Sequence, residues 1–124
     1  MKLLKKLSIV LIIICFSVTL LALIRTKLIL RMYDNLILDS KNHYLPCEEL
    51  PSVARVEQVV KEYQDIIRKI EQVNPGFVGI EIHENCTGKA DIVIWYASHR
   101  DRVKIEKIIN SETFFEIPYR LHNR

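Results

Sequence analysis

The hydrophobic pattern of the chain opens with an uncharged run that begins at Leu7 and ends at Ile24. At 1.5 Å of rise per residue, a helix of this length spans roughly 27 Å, close to the ~30 Å hydrocarbon core of a bilayer. Basic residues flank the run on both sides, and no side of such a helix is polar, unlike an amphipathic core helix. The pattern therefore predicts a membrane anchor over residues 1–31.

Two kinds of cleaved leader are alternatives to a permanent anchor. A secretory signal has a shorter apolar region, of about 7–15 residues, and a small-x-small cleavage site, and neither is present here. A lipoprotein signal places small residues before its cysteine, whereas Cys15 follows three isoleucines. An uncleaved, single-pass signal-anchor fits the sequence better than either leader.

A second pattern, in which apolar residues recur three and four positions apart, begins after Ser52. Its members are Val53, Val56, Val59, Val60, Tyr63, Ile66, Ile67, Ile70 and Val73. This spacing places one apolar stripe along an α-helix, with charged residues on the other sides. Ser52 is a candidate N-cap, and the segment from Asn74 to Gly76 ends the helix.

Alternating and continuous apolar runs follow and predict strands. Val78, Ile80 and Ile82 alternate with polar residues, and residues 90–97 form a β-branched and aromatic run that suits the centre of a sheet. Ser98 opens a second helix with a capping-box pattern. The last alternation, at Phe115, Ile117, Tyr119 and Leu121, predicts a third strand, which Pro118 would place at an edge because proline has no N–H to donate.

Together these elements predict an α+β fold over residues 52–124. Their order is α-β-β-α-β, with two helices covering one face of a three-stranded mixed sheet. Residues 32–51 show no sustained periodicity and are predicted to be a linker, whose apolar stretch at Leu36, Ile37 and Leu38 could dock on the domain.

The element order, with a preceding anchor, is similar in topology to two groups of proteins. One comprises the ring-building modules of membrane secretion and sporulation complexes, and the other the lipid-associated BON domains of bacterial envelope proteins. The resemblance covers residues 52–122 and rests on element order alone. It therefore implies a fold, and no functional residue is transferred from either group.

The charge distribution changes the picture given by the overall net charge of +3. Residues 1–31 hold six of the 18 Lys and Arg residues and none of the 15 acidic residues, so the remaining chain is acidic, at −3. An acidic body argues against nucleic-acid binding. The basic residues on the two sides of the apolar run nearly balance, and the cluster at the N-terminus favours a cytoplasmic N-terminus with the domain outside.

Cys47 and Cys86 are a candidate disulfide, which would suit an extracytoplasmic domain. Two unrelated buried thiols are the alternative. His43 and His83 lie close to these cysteines in sequence, which also admits a zinc site, although the spacing matches no strong zinc signature. We expect no metal and no cofactor.

Two surfaces are candidates for binding. Phe77, Val93 and Trp95, with Phe114 as a further candidate, would form an apolar patch on the sheet face away from the helices, of the kind that often contacts a partner protein. Ser98, His99, Arg100 and Arg102 cluster at a helix start, which suits an anion. No catalytic motif occurs. We therefore expect a non-enzymatic protein whose domain serves protein–protein interaction or self-association, with a membrane-tethered sensor of a small ligand or anion as the alternative.

Overall fold

The computed structural model describes all residues, 1–124, and begins with two helices outside the folded domain. Helix α1 spans Lys2–Arg25, and the short helix α2 spans Leu28–Leu36. Between them Lys27 takes a left-handed conformation, with φ 55°, which ends one helix and begins the next. Neither α1 nor α2 contains a buried residue.

The domain confirms the predicted α+β class, and its sheet has four strands instead of three. Strands β1 (Gly79–Cys86) and β2 (Lys89–Tyr96) form an antiparallel hairpin. Strands β3 (Thr113–Phe114) and β4 (Ile117–Asn123) form a second one, and the sheet order is β1-β2-β4-β3. Because β4 pairs in parallel with β2, the two hairpins join into one mixed sheet.

The prediction that Pro118 marks an edge strand is wrong. Strand β4 lies between β2 and β3, with Pro118 paired to Thr113 of the two-residue strand β3. Pairing with β2 starts one residue later, at Tyr119, so the missing N–H of Pro118 costs the sheet no bond on that side. The β3–β4 turn is formed by Phe115 and Glu116, both at positive φ. Glycine or asparagine usually occupies such positions, so this turn has no signal in the sequence.

The helical stripe predicted over residues 53–73 forms two helices rather than one. Helix α3 spans Val53–Glu62 and α4 spans Gln64–Glu71, with Tyr63 in a non-helical conformation between them. The Tyr63 ring stacks on Phe115 at 3.5 Å between centroids. The side-chain amide of Gln64 donates to the Val60 carbonyl at 2.9 Å, which compensates the helical bond that the break removes.

Helices α3, α4 and α5 (His99–Ile109) cover one face of the sheet, which we call the helix face. Alternate residues of β2 and β4 enter its core, including Ile92, Ile94 and Leu121, all at most 1% exposed. Ser52 and Ser98 cap α3 and α5 as predicted, since each hydroxyl accepts a bond from the backbone N–H three residues on.

The segment predicted to be a linker is largely attached to the domain. Residues 39–50, which we call the strap, begin beside β4, on the side away from β2, where Lys41 and Leu121 exchange two backbone hydrogen bonds of 2.9 Å. The strap then reaches β1, where Cys47 is bonded to Cys86. Leu36, Ile37 and Leu38, the stretch that could have docked on the domain, are 70%, 68% and 49% exposed. Polar contacts attach this segment to the domain, and a hydrophobic pattern does not reveal such contacts.

Candidate functional site

The sheet face opposite the helices, which we call the far face, carries a buried carboxylate. Asp91 lies on β2 between residues of the helix-face core, so alternation turns its side chain to the far face, where it is 0% exposed. Arg120, on β4, donates to both of its oxygens, through Nε at 2.6 Å and Nη2 at 3.0 Å. His43, on the strap, adds a bond through Nε2 at 2.7 Å. Three distant segments therefore meet at one carboxylate.

The hydrogen bonds of His43 fix the tautomer of its ring. The Leu45 backbone N–H donates to Nδ1 at 3.0 Å, so the proton of the neutral ring lies on Nε2 and points to Asp91. Both ring nitrogens are occupied, which leaves no free nitrogen to act as a general base. This His–Asp pair fastens the strap to the sheet and is not arranged for proton transfer to a substrate.

The same contacts determine the charge state of Asp91. Burial alone would raise its pKa, but hydrogen bonds from His43, Arg120 and Asn85 outweigh it and lower the pKa to about 2. The carboxylate is therefore ionised at neutral pH. It holds Arg120 in place, and the other contacts of the Arg120 Nη2 are His83 and Asn85, each at 3.1 Å.

The predicted disulfide between Cys47 and Cys86 is present, with Cα atoms 6.2 Å apart. It joins the end of the strap to the end of β1, beside the β1–β2 turn. The zinc alternative required both cysteines as ligands, and they are bonded to each other, so that alternative is wrong. The third cysteine, Cys15, is free and lies in α1.

At the start of α5, the cluster predicted to bind an anion faces a carboxylate of the chain itself. Arg102 is 6% exposed at its side chain and contacts Asp39 at 3.0 Å, and His99 contacts the same oxygen at 2.7 Å. Although burial opposes it, these two bonds lower the pKa of Asp39. Ser98 serves as the helix cap, and Arg100 is exposed. Asp39 thus occupies the position that an external anion would take.

The predicted interaction surface is only partly exposed. Val93 is 3% exposed and contributes no free surface, and Phe114 belongs to the core on the helix face. Trp95 is half-buried: its ring lies where a side chain on Gly79 would stand, with the Arg124 guanidinium 5.7 Å from the ring centroid. Phe77, 60% exposed, lies two residues before the edge strand β1. The surface that remains is Phe77 and Trp95 beside this edge.

Helix α2 is attached to the domain by its polar side. The Asp34 carboxylate accepts a bond from the Tyr44 hydroxyl, and the side-chain amide oxygen of Asn35, Oδ1, accepts one from Arg102 Nη2 at 2.5 Å. Burial together with the Asp34 contact raises the pKa of Tyr44 to about 12. Between α2, the strap and β4 lies a cleft of about 670 Å³, in which Lys41 is paired with Glu112 at 3.0 Å.

Sequence reasoning missed Asp39, Asp91 and Arg120, which carry the buried ion pairs. One signal was present, since Asp91 is an acid inside an otherwise apolar strand, and a charge buried there requires a partner. Nothing in the spacing identified that partner, because 29 residues separate Asp91 from Arg120. The contacts of the Asp39 carboxylate span 60 residues or more.

Comparison of the chain with protein-family models, with curated proteins and with solved structures found no match. Helix α1 is long and apolar enough to cross a membrane, and none of its apolar window is buried. A signal sequence near an N-terminus is also long and apolar enough to meet this description. The apolar helix α1, the disulfide and the polar attachment of α2 are thus the features from which a function has to be inferred.

Proposed function

We propose that the protein is a non-enzymatic, single-pass membrane protein whose disulfide-bonded domain lies outside the cytoplasm and makes protein–protein contacts. The observation that carries this proposal is the Cys47–Cys86 bond, which closes the segment after the membrane helix onto the sheet. Structural disulfides persist in oxidising compartments and are rare in the cytosol. The charge cluster at Lys2, Lys5 and Lys6 supports the same orientation, with the N-terminus inside.

The contact surface that we propose lies along β1. This strand pairs with β2 on one side only, so its other side offers unpaired backbone groups to an added strand. Phe77 lies at the beginning of this edge, and Trp95 lies across β1 over Gly79. Exposed aromatic residues are enriched at the centres of protein interfaces. The partner is a second copy of the chain or a neighbouring membrane protein.

Site-specific photo-crosslinking in intact membranes tests this surface. A photoreactive residue at Phe77 should give discrete higher-mass adducts, because this position would lie in the contact. The matched control is the same residue at Val103, an exposed apolar position on α5, 37% exposed, which should give none. Adducts at both positions or at neither would contradict a contact along β1.

A charge substitution gives a second test of the same surface. Phe77→Lys should abolish the adducts formed by a photoreactive residue at Glu81, which lies on β1. Val103→Lys should leave them unchanged, because it places the same charge far from the edge. Unchanged adducts in Phe77→Lys would show that Phe77 is not part of the contact.

A further inference from the structure

Helix α2 faces the folded domain with its polar side, whereas an amphipathic helix usually packs its apolar side on the domain. At 100° per residue, Arg31, Asp34 and Asn35 fall on one side, and the other side is apolar. The polar side contacts the domain through Asp34 and Asn35. The apolar side is left uncovered, although burying that side is what normally stabilises such a helix.

The uncovered side is extensive for a helix of nine residues. Its members are between 44% and 70% exposed: Leu28, Ile29, Met32, Tyr33 and Leu36. Ile37 and Leu38 continue it beyond the helix end, at 68% and 49% exposed. Soluble proteins rarely leave contiguous apolar surface of this kind facing water, so another medium is expected to cover it.

The position of α2 in the chain indicates which medium that is. Helix α1 ends at Arg25, and α2 begins at Leu28, so only Thr26 and Lys27 separate α2 from the apolar helix. If α1 spans the bilayer, this short connection keeps α2 at the membrane surface. Three basic residues lie at this junction: Arg25, Lys27 and Arg31. The Lys27 ammonium donates to the Tyr44 carbonyl at 2.8 Å, whereas Arg25 and Arg31 have no acidic partner and would meet the phosphates of anionic lipids.

We propose that α2 is an interfacial helix that lies in the plane of the membrane, with its apolar side among the upper acyl chains and its polar side bonded to the domain. This inference rests on the membrane anchorage of the proposed function. Its consequence is that the domain is held against the lipid surface in a fixed orientation, since Asp34 and Asn35 connect α2 to Tyr44 and Arg102. The unattached side of the domain is then the only part free to meet a partner.

The test uses the full chain in vesicles of phosphatidylcholine and phosphatidylglycerol. In a Cys15→Ser background, Leu36→Cys and Ile29→Cys are labelled without reductant with an environment-sensitive NBD dye. The control is Glu57→Cys, an exposed position on α3. We expect blue-shifted emission at both α2 sites, and quenching several-fold stronger by lipids that carry a nitroxide high on the acyl chain than by lipids that carry it near the chain end. The control should resemble dye in water.

Vesicle flotation after carbonate treatment separates the possible failures. If the protein floats and the α2 dyes resemble dye in water, the interfacial helix is wrong while the anchorage stands. If the protein does not float, the anchorage itself is wrong, and the inference fails with it. A blue shift that disappears when the protein is diluted with lipid would mean that a second copy covers α2, and stronger quenching near the chain end would mean that α2 is embedded in the membrane core. Either result would overturn the proposal.

Discussion

Helices α2 and α4 are alike in sequence pattern and opposite in how they meet the domain. Both are short, with nine and eight residues, and both concentrate their apolar residues on one side. Helix α4 buries that side in the core, where Ile67 is 6% and Ile70 is 0% exposed. Helix α2 turns its polar side to the domain and leaves Leu36 70% exposed.

The comparison shows what an amphipathic pattern does and does not determine. It determines which side of a helix will leave water, and it does not say whether protein or lipid will receive that side. For α4 the receiving surface is the sheet, and the connection through Pro75 and Gly76 to β1 holds the helix there. For α2 the neighbouring element in the chain is the apolar helix α1.

The largest expected effect comes from opening the strap that joins α2 to the domain. Replacing Cys47 and Cys86 by serine should lower the free energy of unfolding by about 4 kcal/mol, because the bond closes a long loop in the unfolded chain. The two cysteines are 39 residues apart. Denaturant titration of the detergent-solubilised chain, followed by the fluorescence of the single tryptophan, Trp95, measures this. Cys15→Ser is the control, and an equal loss in it would contradict the account.

The next largest effect compares how much the apolar sides of α4 and α2 contribute to the stability of the domain. Ile70→Ala in α4 should cost about 3 kcal/mol, since it removes buried methyl groups and leaves a cavity. Leu36→Ala in α2 should change the stability of the domain by less than about 0.5 kcal/mol in detergent, because that side chain contacts no part of the core. The same denaturant titration compares both variants. Similar losses would mean that the apolar side of α2 packs on protein.

A smaller, pH-dependent effect tests the contact between the strap and the sheet. The pKa of Asp91 is lowered to about 2 in the folded state, below the ordinary value of 3.8 for an aspartate, so the folded state binds the proton less tightly than the unfolded state. The resulting stability, about 2 kcal/mol, is present above pH ~4 and is lost as the pH falls through ~2.

Unfolding titrations between pH 5 and pH 2 check this contribution. Asp91→Asn should be less stable than the parent at neutral pH, and its stability should fall less steeply over the same range. Asp65→Asn, at an exposed position on α4, should follow the parent. If the stability of Asp91→Asn falls with pH as steeply as that of the parent, another carboxyl group causes the acid sensitivity.

The smallest expected effect concerns the polar attachment of α2. Asn35→Ala removes the acceptor of the Arg102 bond and should cost about 1 kcal/mol. It should also increase hydrogen exchange of α2 in detergent while α4 remains protected. Gln72→Ala replaces an exposed amide after α4 and should change neither quantity. Unchanged exchange in Asn35→Ala would mean that this bond does not hold the helix.

The sequence predicted those parts of the fold that depend on local periodicity. The stripe from Val53 to Val73, the strands β1 and β2 and the caps at Ser52 and Ser98 follow from spacing and capping chemistry, and each is present. The break at Tyr63 was not predictable from the stripe, because both helices continue the same apolar side.

Contacts between distant polar residues could not be predicted in this way. Strand β3 has two residues, too few for a period, and its turn places Phe115 and Glu116 at positive φ, where glycine or asparagine is the usual signal. The strap is held by Asp39, Lys41 and His43, whose partners lie in α5, β4 and β2 respectively. Such pairs have no period, so only the three-dimensional structure brings them together.

Thiol labelling in intact cells tests the central claim, an extracytoplasmic domain closed by a disulfide, most directly. The protein carries Cys15→Ser and is treated with a membrane-impermeant maleimide, with and without prior reduction. The account predicts that Cys47 and Cys86 react only after reduction and without permeabilisation. Reaction only after permeabilisation, with no need of a reductant, would place the domain in the cytosol with free thiols and contradict the account.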